Sequence, residues 1–204
     1  MPLLIVVTRC ANRRDKKLWS NNKNLVTVLA IHSERFRGDL EILKQTGCMR
    51  VLSFPVYWQW QIVEAFVPKD QLASTTVVLD WYQQSHENNF MLPTLKLQDF
   101  LTRFLQKFYS TLKVDAVITP NIRYTCDLDW LFVTQKLGVP SLVLFRESLL
   151  ASQWDYYGVV DRHKKFGKLL TDHVIAHNQL VANTFIDSGI ATKSNISVCG
   201  NLRM

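Results

Sequence analysis

The chain has 204 residues, 48% of them hydrophobic, and a formal charge of +7 at neutral pH. That length and apolar content allow one substantial core, so a single domain over 1–204 is the economical reading. Seven glycines and six prolines, without a glycine-rich or serine-rich tract and without an internal repeat, leave no linker or low-complexity segment to divide it.

The opening run Met1-Pro2-Leu3-Leu4-Ile5-Val6-Val7 is too short for a membrane span. Its positive charges follow the apolar stretch, where a signal peptide places them before it, so it reads as a buried strand. Arg9, Arg13, Arg14, Lys16, Lys17 and Lys23 come next, and a second basic group, Arg162, His163, Lys164, Lys165 and Lys168, lies near the far end. Both groups read either as solvated faces or as contacts with an anionic membrane surface, glycan or nucleotide.

Short β-branched runs then recur at 25–31, 50–54, 76–79, 116–119, 141–145, 173–176 and 196–198. The segment 39–46 reads as a short helix closed by Gly47. The segment 94–113 carries Leu97, Phe100, Leu101, Phe104, Leu105, Phe108 and Leu112 at three- and four-residue spacing, the apolar face of a core helix. A third helix is predicted over 127–137, with Asp127 or its rival Thr125 as N-cap and Gly138-Val139-Pro140 as the exit into the next strand. Strands alternating with helices predict an α/β, Rossmann-like doubly wound fold, its mainly parallel sheet covered on both faces.

In that architecture ligands collect beyond the carboxyl ends of the strands. The polar residues there include His32 after the first of these strands, Asn121 and Arg123 after 116–119, Arg146, Glu147 and Ser148 after 141–145, and His177 after 173–176. Glu147 is the candidate catalytic group, a general base or a stabiliser of positive charge, with Arg146 tuning it or binding phosphate; its bland alternative is an Arg–Glu pair at a sheet edge. Ser148, Asn121, Arg123, His32 and His177 are candidate substrate contacts, the histidines competing with roles in caps and turns. Cys10, Cys48, Cys126 and Cys199 form no CxxC pair and have no histidine at ligand spacing, so they read as reduced, mostly buried thiols and no metal site is assigned. There is no GxGxxG, GxxxxGK[ST], GxSxG or HExxH, which removes the support for a stand-alone dinucleotide or NTP enzyme, a hydrolase or a zincin.

The run from Asp161-Arg162-His163-Lys164-Lys165-Phe166-Gly167-Lys168 through His173-Val174-Ile175-Ala176-His177-Asn178 and Phe185-Ile186-Asp187-Ser188-Gly189 to Ile196-Ser197-Val198-Cys199-Gly200-Asn201-Leu202-Arg203-Met204 resembles the end of the amino-terminal domain of GT-B glycosyltransferases. The likeness is to the enzymes that build bacterial surface polysaccharide and lipopolysaccharide, and it covers the last hundred residues best. It implies a two-domain transferase whose first half binds a glycan or lipid-linked acceptor, while the nucleotide-sugar donor sits in a second GT-B domain. No cofactor is then expected in this half, which is read as inactive alone. The unpaired cysteine pattern reads as that of a cytoplasmic protein, and the basic surfaces would suit an acidic or lipid-linked glycan, peripheral at the inner face of the membrane. A non-catalytic Rossmann-like binding module is the alternative; under either reading an apolar rim around Trp154, Tyr156 and Tyr157 would mark a partner surface. Nucleic acid ranks third among partners, since no helix-turn-helix or RNA-binding motif accompanies the basic charge.

Overall fold

The computed structural model describes residues 25–69, 91–145, 152–165, 167 and 169–200. The opening apolar run, the first basic group, the strand predicted over 76–79 and the trio Arg146, Glu147 and Ser148 lie outside them.

Six strands form one parallel sheet: β1 (Val26–Ile31), β2 (Met49–Phe54), β3 (Ala116–Thr119), β4 (Ser141–Leu144), β5 (His173–Ala176) and β6 (Ile196–Val198), in the spatial order β2-β1-β3-β4-β5-β6. The helices are α1 (Asp39–Gln45), α2 (Val56–Glu64), α3 (Met91–Leu112), α4 (Thr125–Lys136), α5 (Gln153–Lys164) and α6 (Gln179–Asp187). No helix of the described residues is long and apolar enough to cross a membrane. The Rossmann-like α/β architecture expected from the alternating pattern is therefore present, and the strand at 116–119 coincides with β3.

Alternation along the strands explains why both faces are covered. On one face, Leu29 and Ile31 of β1, Leu52 and Phe54 of β2 and Val117 of β3 pack with Val63 of α2, with the predicted stripe of α3 and with Trp130, Leu131 and Val133 of α4. On the other, Val28, Ala30, Val51 and Ile118 pack with Phe36 and with Leu40 of α1. A strand buried on both sides needs apolar residues at consecutive positions, hence the unbroken Val28-Leu29-Ala30-Ile31. Further along the sheet, Val143, Val174 and Ala176 meet Val181, Ala182 and Phe185 of α6.

Three polar side chains inside this core satisfy one another in a closed circuit. Trp130 Nε1 donates to the Tyr109 hydroxyl at 3.1 Å, Tyr109 and Thr134 share a hydroxyl bond of 2.7 Å, and Thr134 Oγ1 donates to the Trp130 carbonyl at 2.8 Å. Burial pushes the Tyr109 phenol far above its ordinary range, so it stays a neutral link between α3 and α4.

The boundaries expected from sequence shift where local chemistry is decisive. The long helix starts earlier than residue 94 and ends at Leu112, where Lys113 turns left-handed with φ 53°. Gly47 and Gly138 hold φ of 67° and 69°, the left-handed exits that a side chain would strain. Two helices carry no signal of their own: α2 is built from Val56-Tyr57-Trp58-Gln59-Trp60, a strand-like composition started as a helix by Pro55, and α5 encloses Gly158. At α5 the Ser152 hydroxyl group accepts the Asp155 amide at 3.2 Å and caps the helix.

Two other expectations need correction. Cys48 and Cys199 are exposed and Cys126 alone among the described thiols is buried, because the first two lie in loops at the sheet margins. His163 does not belong to a solvated basic face. It is 1% exposed, with its ring 4.6 Å from that of Phe185 and 6.3 Å from that of Phe145, while Arg162, Lys164 and Lys165 do face solvent.

Burial, and then the charges of Arg123 and Arg162, push the His163 pKa down from 6.5 to about 4. The unfolded chain thus takes up this proton first as the pH falls, so stability is complete above about pH 6.5 and declines towards about pH 4. Urea unfolding should lose about 2 kcal/mol between pH 7 and pH 5 from this group. His163→Leu should flatten that part of the profile; an unchanged slope in the variant would contradict the assignment.

Candidate functional site

A parallel sheet brings the carboxyl ends of all its strands to one edge. Between β1 and β3 the connections diverge: the chain leaves β1 through α1 towards β2, and leaves β3 through α4 towards β4, on the other side. This reversal opens a crevice at the edge, the place where α/β sheets bind ligands.

Asp127 is the centre of that crevice. It lies in the first turn of α4, fully buried, and each carboxylate oxygen has a partner. Gln59 Nε2 of α2 donates to Oδ1 at 2.8 Å, and Thr119 Oγ1, the last residue of β3, donates to Oδ2 at 2.8 Å. The same Gln59 accepts the His32 backbone N–H through Oε1 at 2.9 Å, so one amide ties the end of β1 to the start of α4. His32 itself is left-handed, with φ 53° and ψ 43°, a conformation uncommon for a side-chain-bearing residue and held here by that bond. Its Nδ1 comes within 3.4 Å of Asp127 Oδ1 and 3.7 Å of Cys126 Sγ, and the sulfur lies 3.5 Å from the same carboxylate oxygen. These three side chains are the group of potential metal ligands found among the described residues.

Above them lies a cavity of about 310 Å³ lined by His32, Glu34, Arg35, Val56, Trp60, Arg123, Tyr124, Thr125 and Cys126. Tyr124 stacks obliquely on His32, with ring centroids 4.5 Å apart, and carries the Arg35 guanidinium 5.5 Å from its own centroid. Glu34 also lines the cavity, and its carboxylate accepts the Val56 N–H at the amino end of α2 at 3.0 Å. The wall thus combines two guanidinium groups, the Glu34 carboxylate, two aromatic rings and the amino end of α4, whose N-cap residue Tyr124 does not cap the helix through its side chain.

This geometry separates the expected site residues. His32 and Arg123 line the cavity. Asn121 is buried, does not line the cavity, and accepts the Arg123 N–H through Oδ1 at 3.0 Å, which supports the loop that carries Arg123. His177 sits two strands away at the end of β5, donating from Nδ1 to the Gly200 carbonyl at 3.2 Å, and does not join the cavity. Glu147, Arg146 and Ser148 fall outside the described residues. Neither Asp127 nor Thr125 is the N-cap: α4 begins at Thr125, because Gln59 and Thr119 recruit the Asp127 carboxylate sideways into the core.

Sequence reasoning did not reach Gln59, Thr119, Cys126, Tyr124, Trp60 or Arg35. His32 and Cys126 are 94 positions apart, so no spacing rule connects them. The only local signal was Thr125-Cys126-Asp127, a polar trio just past a strand.

The trio of His32, Cys126 and Asp127 is not a nucleophilic relay. In such a relay the nucleophile and the carboxylate bind opposite ring nitrogens, whereas here both approach Nδ1. Burial first, and then the Asp127 charge, push the Cys126 thiol well above its ordinary pKa, so the free protein holds it protonated and unreactive. Because Asp127 satisfies two buried donors, Asp127→Ala should cost about 2–5 kcal/mol in urea unfolding. Asp127→Asn, which keeps an acceptor for Gln59, should cost distinctly less; equal losses would contradict the bridging role.

No family model matches the chain, and neither the curated proteins nor the solved structures compared with it give a match.

Proposed function

We propose that this domain is the acceptor-binding half of a glycosyltransferase that moves a sugar from a nucleotide sugar to a surface glycan or lipid-linked acceptor, and that the cavity between β1 and β3 receives an acidic group of that acceptor. The observation that carries this reading is the pairing of Arg35 and Arg123 with the amino end of α4 around a cavity that also offers Tyr124 and Trp60. Guanidinium groups and a helix amino end favour a carboxylate or phosphate, and aromatic rings offer flat apolar surface to the carbon face of a sugar. The parallel sheet and the reversal of strand order at this cavity agree with the GT-B half-domain that the last hundred residues resemble. Glu147 keeps its proposed role as base or charge stabiliser. Phe145, two positions before it in sequence, is where the chain leaves β4, the neighbour of β3.

A second reading, a non-catalytic Rossmann-like binding module, has one observation in its favour. His32, Cys126 and Asp127 approach one another instead of standing as separate groups over the cavity. Its ligand would be any small anion, with no preference for a sugar.

One titration separates the two. Binding of a uronic-acid disaccharide, its neutral methyl ester and inorganic phosphate is measured by ligand-observed NMR. The transferase reading expects the acidic disaccharide to bind best, with Arg123→Ala and Arg35→Ala each weakening it about 10-fold and leaving the weak binding of the ester unchanged. Phosphate binding as tight as that of the disaccharide, with the same arginine dependence, would select the binding module. No binding of any probe would overturn both.

A further inference from the structure

We propose that His32, Cys126 and Asp127 hold a zinc ion, with its fourth coordination position open to the cavity. This goes beyond the transferase reading and does not depend on it.

The distances carry the inference. Zinc takes thiolate sulfur at about 2.3 Å and imidazole nitrogen or carboxylate oxygen at about 2.0–2.2 Å in a tetrahedron, which places a nitrogen and an oxygen ligand about 3.4 Å apart and sulfur about 3.6 Å from each. Here Nδ1 of His32 and Oδ1 of Asp127 are 3.4 Å apart, the sulfur of Cys126 is 3.7 Å from that nitrogen, and it is 3.5 Å from that oxygen. The three atoms therefore form one triangular face of a zinc tetrahedron. As a hydrogen bond the nitrogen–oxygen contact is poor, because 3.4 Å is long for an imidazole and a carboxylate.

Charge and surroundings agree with the distances. A thiolate, a carboxylate and a neutral imidazole together carry two negative charges, which a divalent cation cancels in the interior; the thiol proton leaves to solvent as the sulfur–zinc bond forms. A donor set of sulfur, nitrogen and oxygen suits zinc, whereas magnesium and calcium take oxygen alone. Gln59 and Thr119 already hold the carboxylate from both sides, as the residues behind a metal ligand do. His32 and Cys126 both line the cavity, so the remaining tetrahedral position faces space large enough for a water or an anionic ligand atom. Three protein ligands with one open position is the arrangement of reactive zinc sites, not of purely structural ones.

The test uses the full chain with Cys10, Cys48 and Cys199 replaced by serine, stripped with a chelator and titrated with Co²⁺, which adopts zinc geometry and absorbs visibly. One equivalent should produce a thiolate-to-cobalt charge-transfer band and intense tetrahedral bands, both erased by Zn²⁺. Cys126→Ser and His32→Gln should abolish the charge-transfer band and the tight binding respectively, and Thr119→Val should weaken affinity about 10–100-fold. No charge-transfer band in the parent protein, or a band that persists in Cys126→Ser, would overturn the site. If a variant fails to fold, the parent titration and Thr119→Val still decide the matter.

Discussion

The buried carboxylate of Asp127 is the constraint on which the rest of the rim depends. A charged group without exposure to solvent must be met by hydrogen bonds, and the donors it needs come from the preceding strand β3 and from α2, 68 positions away. Meeting that need fixes the start of α4 and the placement of α2 across the carboxyl ends. Through Gln59 it also fixes the left-handed turn that swings His32 over the crevice. The cavity is therefore a consequence of one polar anchor inside an apolar sandwich, and its basic and aromatic walls are carried by loops that the anchor holds in register.

The opposite edge of the sheet uses carboxylates differently. Asp115, just before β3, accepts the Thr27 N–H of β1 at 2.7 Å, and Asp172, just before β5, accepts the Ser141 N–H of β4 at 2.7 Å. Each satisfies an amide at the start of the neighbouring strand. Acidic groups thus pin strand starts at the amino edge and organise a pocket at the carboxyl edge. This division follows from the parallel direction of all six strands.

The fold was legible because burial on both faces leaves its mark on neighbouring residues: Val28-Leu29-Ala30-Ile31 and Ala116-Val117-Ile118-Thr119 can hardly be anything but inner strands. The three-and-four spacing of α3 was legible for the same reason. Helix α2 was not, since its aromatic and β-branched residues favour a strand locally and only packing against α4 makes them helical. At the site, His32 and Arg123 were legible from their position after strands. Cys126 read as an inert thiol and Asp127 as a cap, because the side chains that give them other partners lie far away in sequence. Chemistry assembled across a parallel sheet is inherently non-local, and spacing rules see only what one segment carries.

Native-state hydrogen exchange in wild-type and Asp127→Ala protein tests most directly whether Asp127 organises the rim. The His32 amide, bonded to Gln59, and the Thr27 amide, bonded to Asp115, lie at the two ends of the same chain segment. If the carboxylate holds the rim, the variant lowers the opening free energy of the His32 amide by about 1–3 kcal/mol more than that of the Thr27 amide. Equal losses at both ends, or an unchanged His32 amide, would show that the rim stands without Asp127.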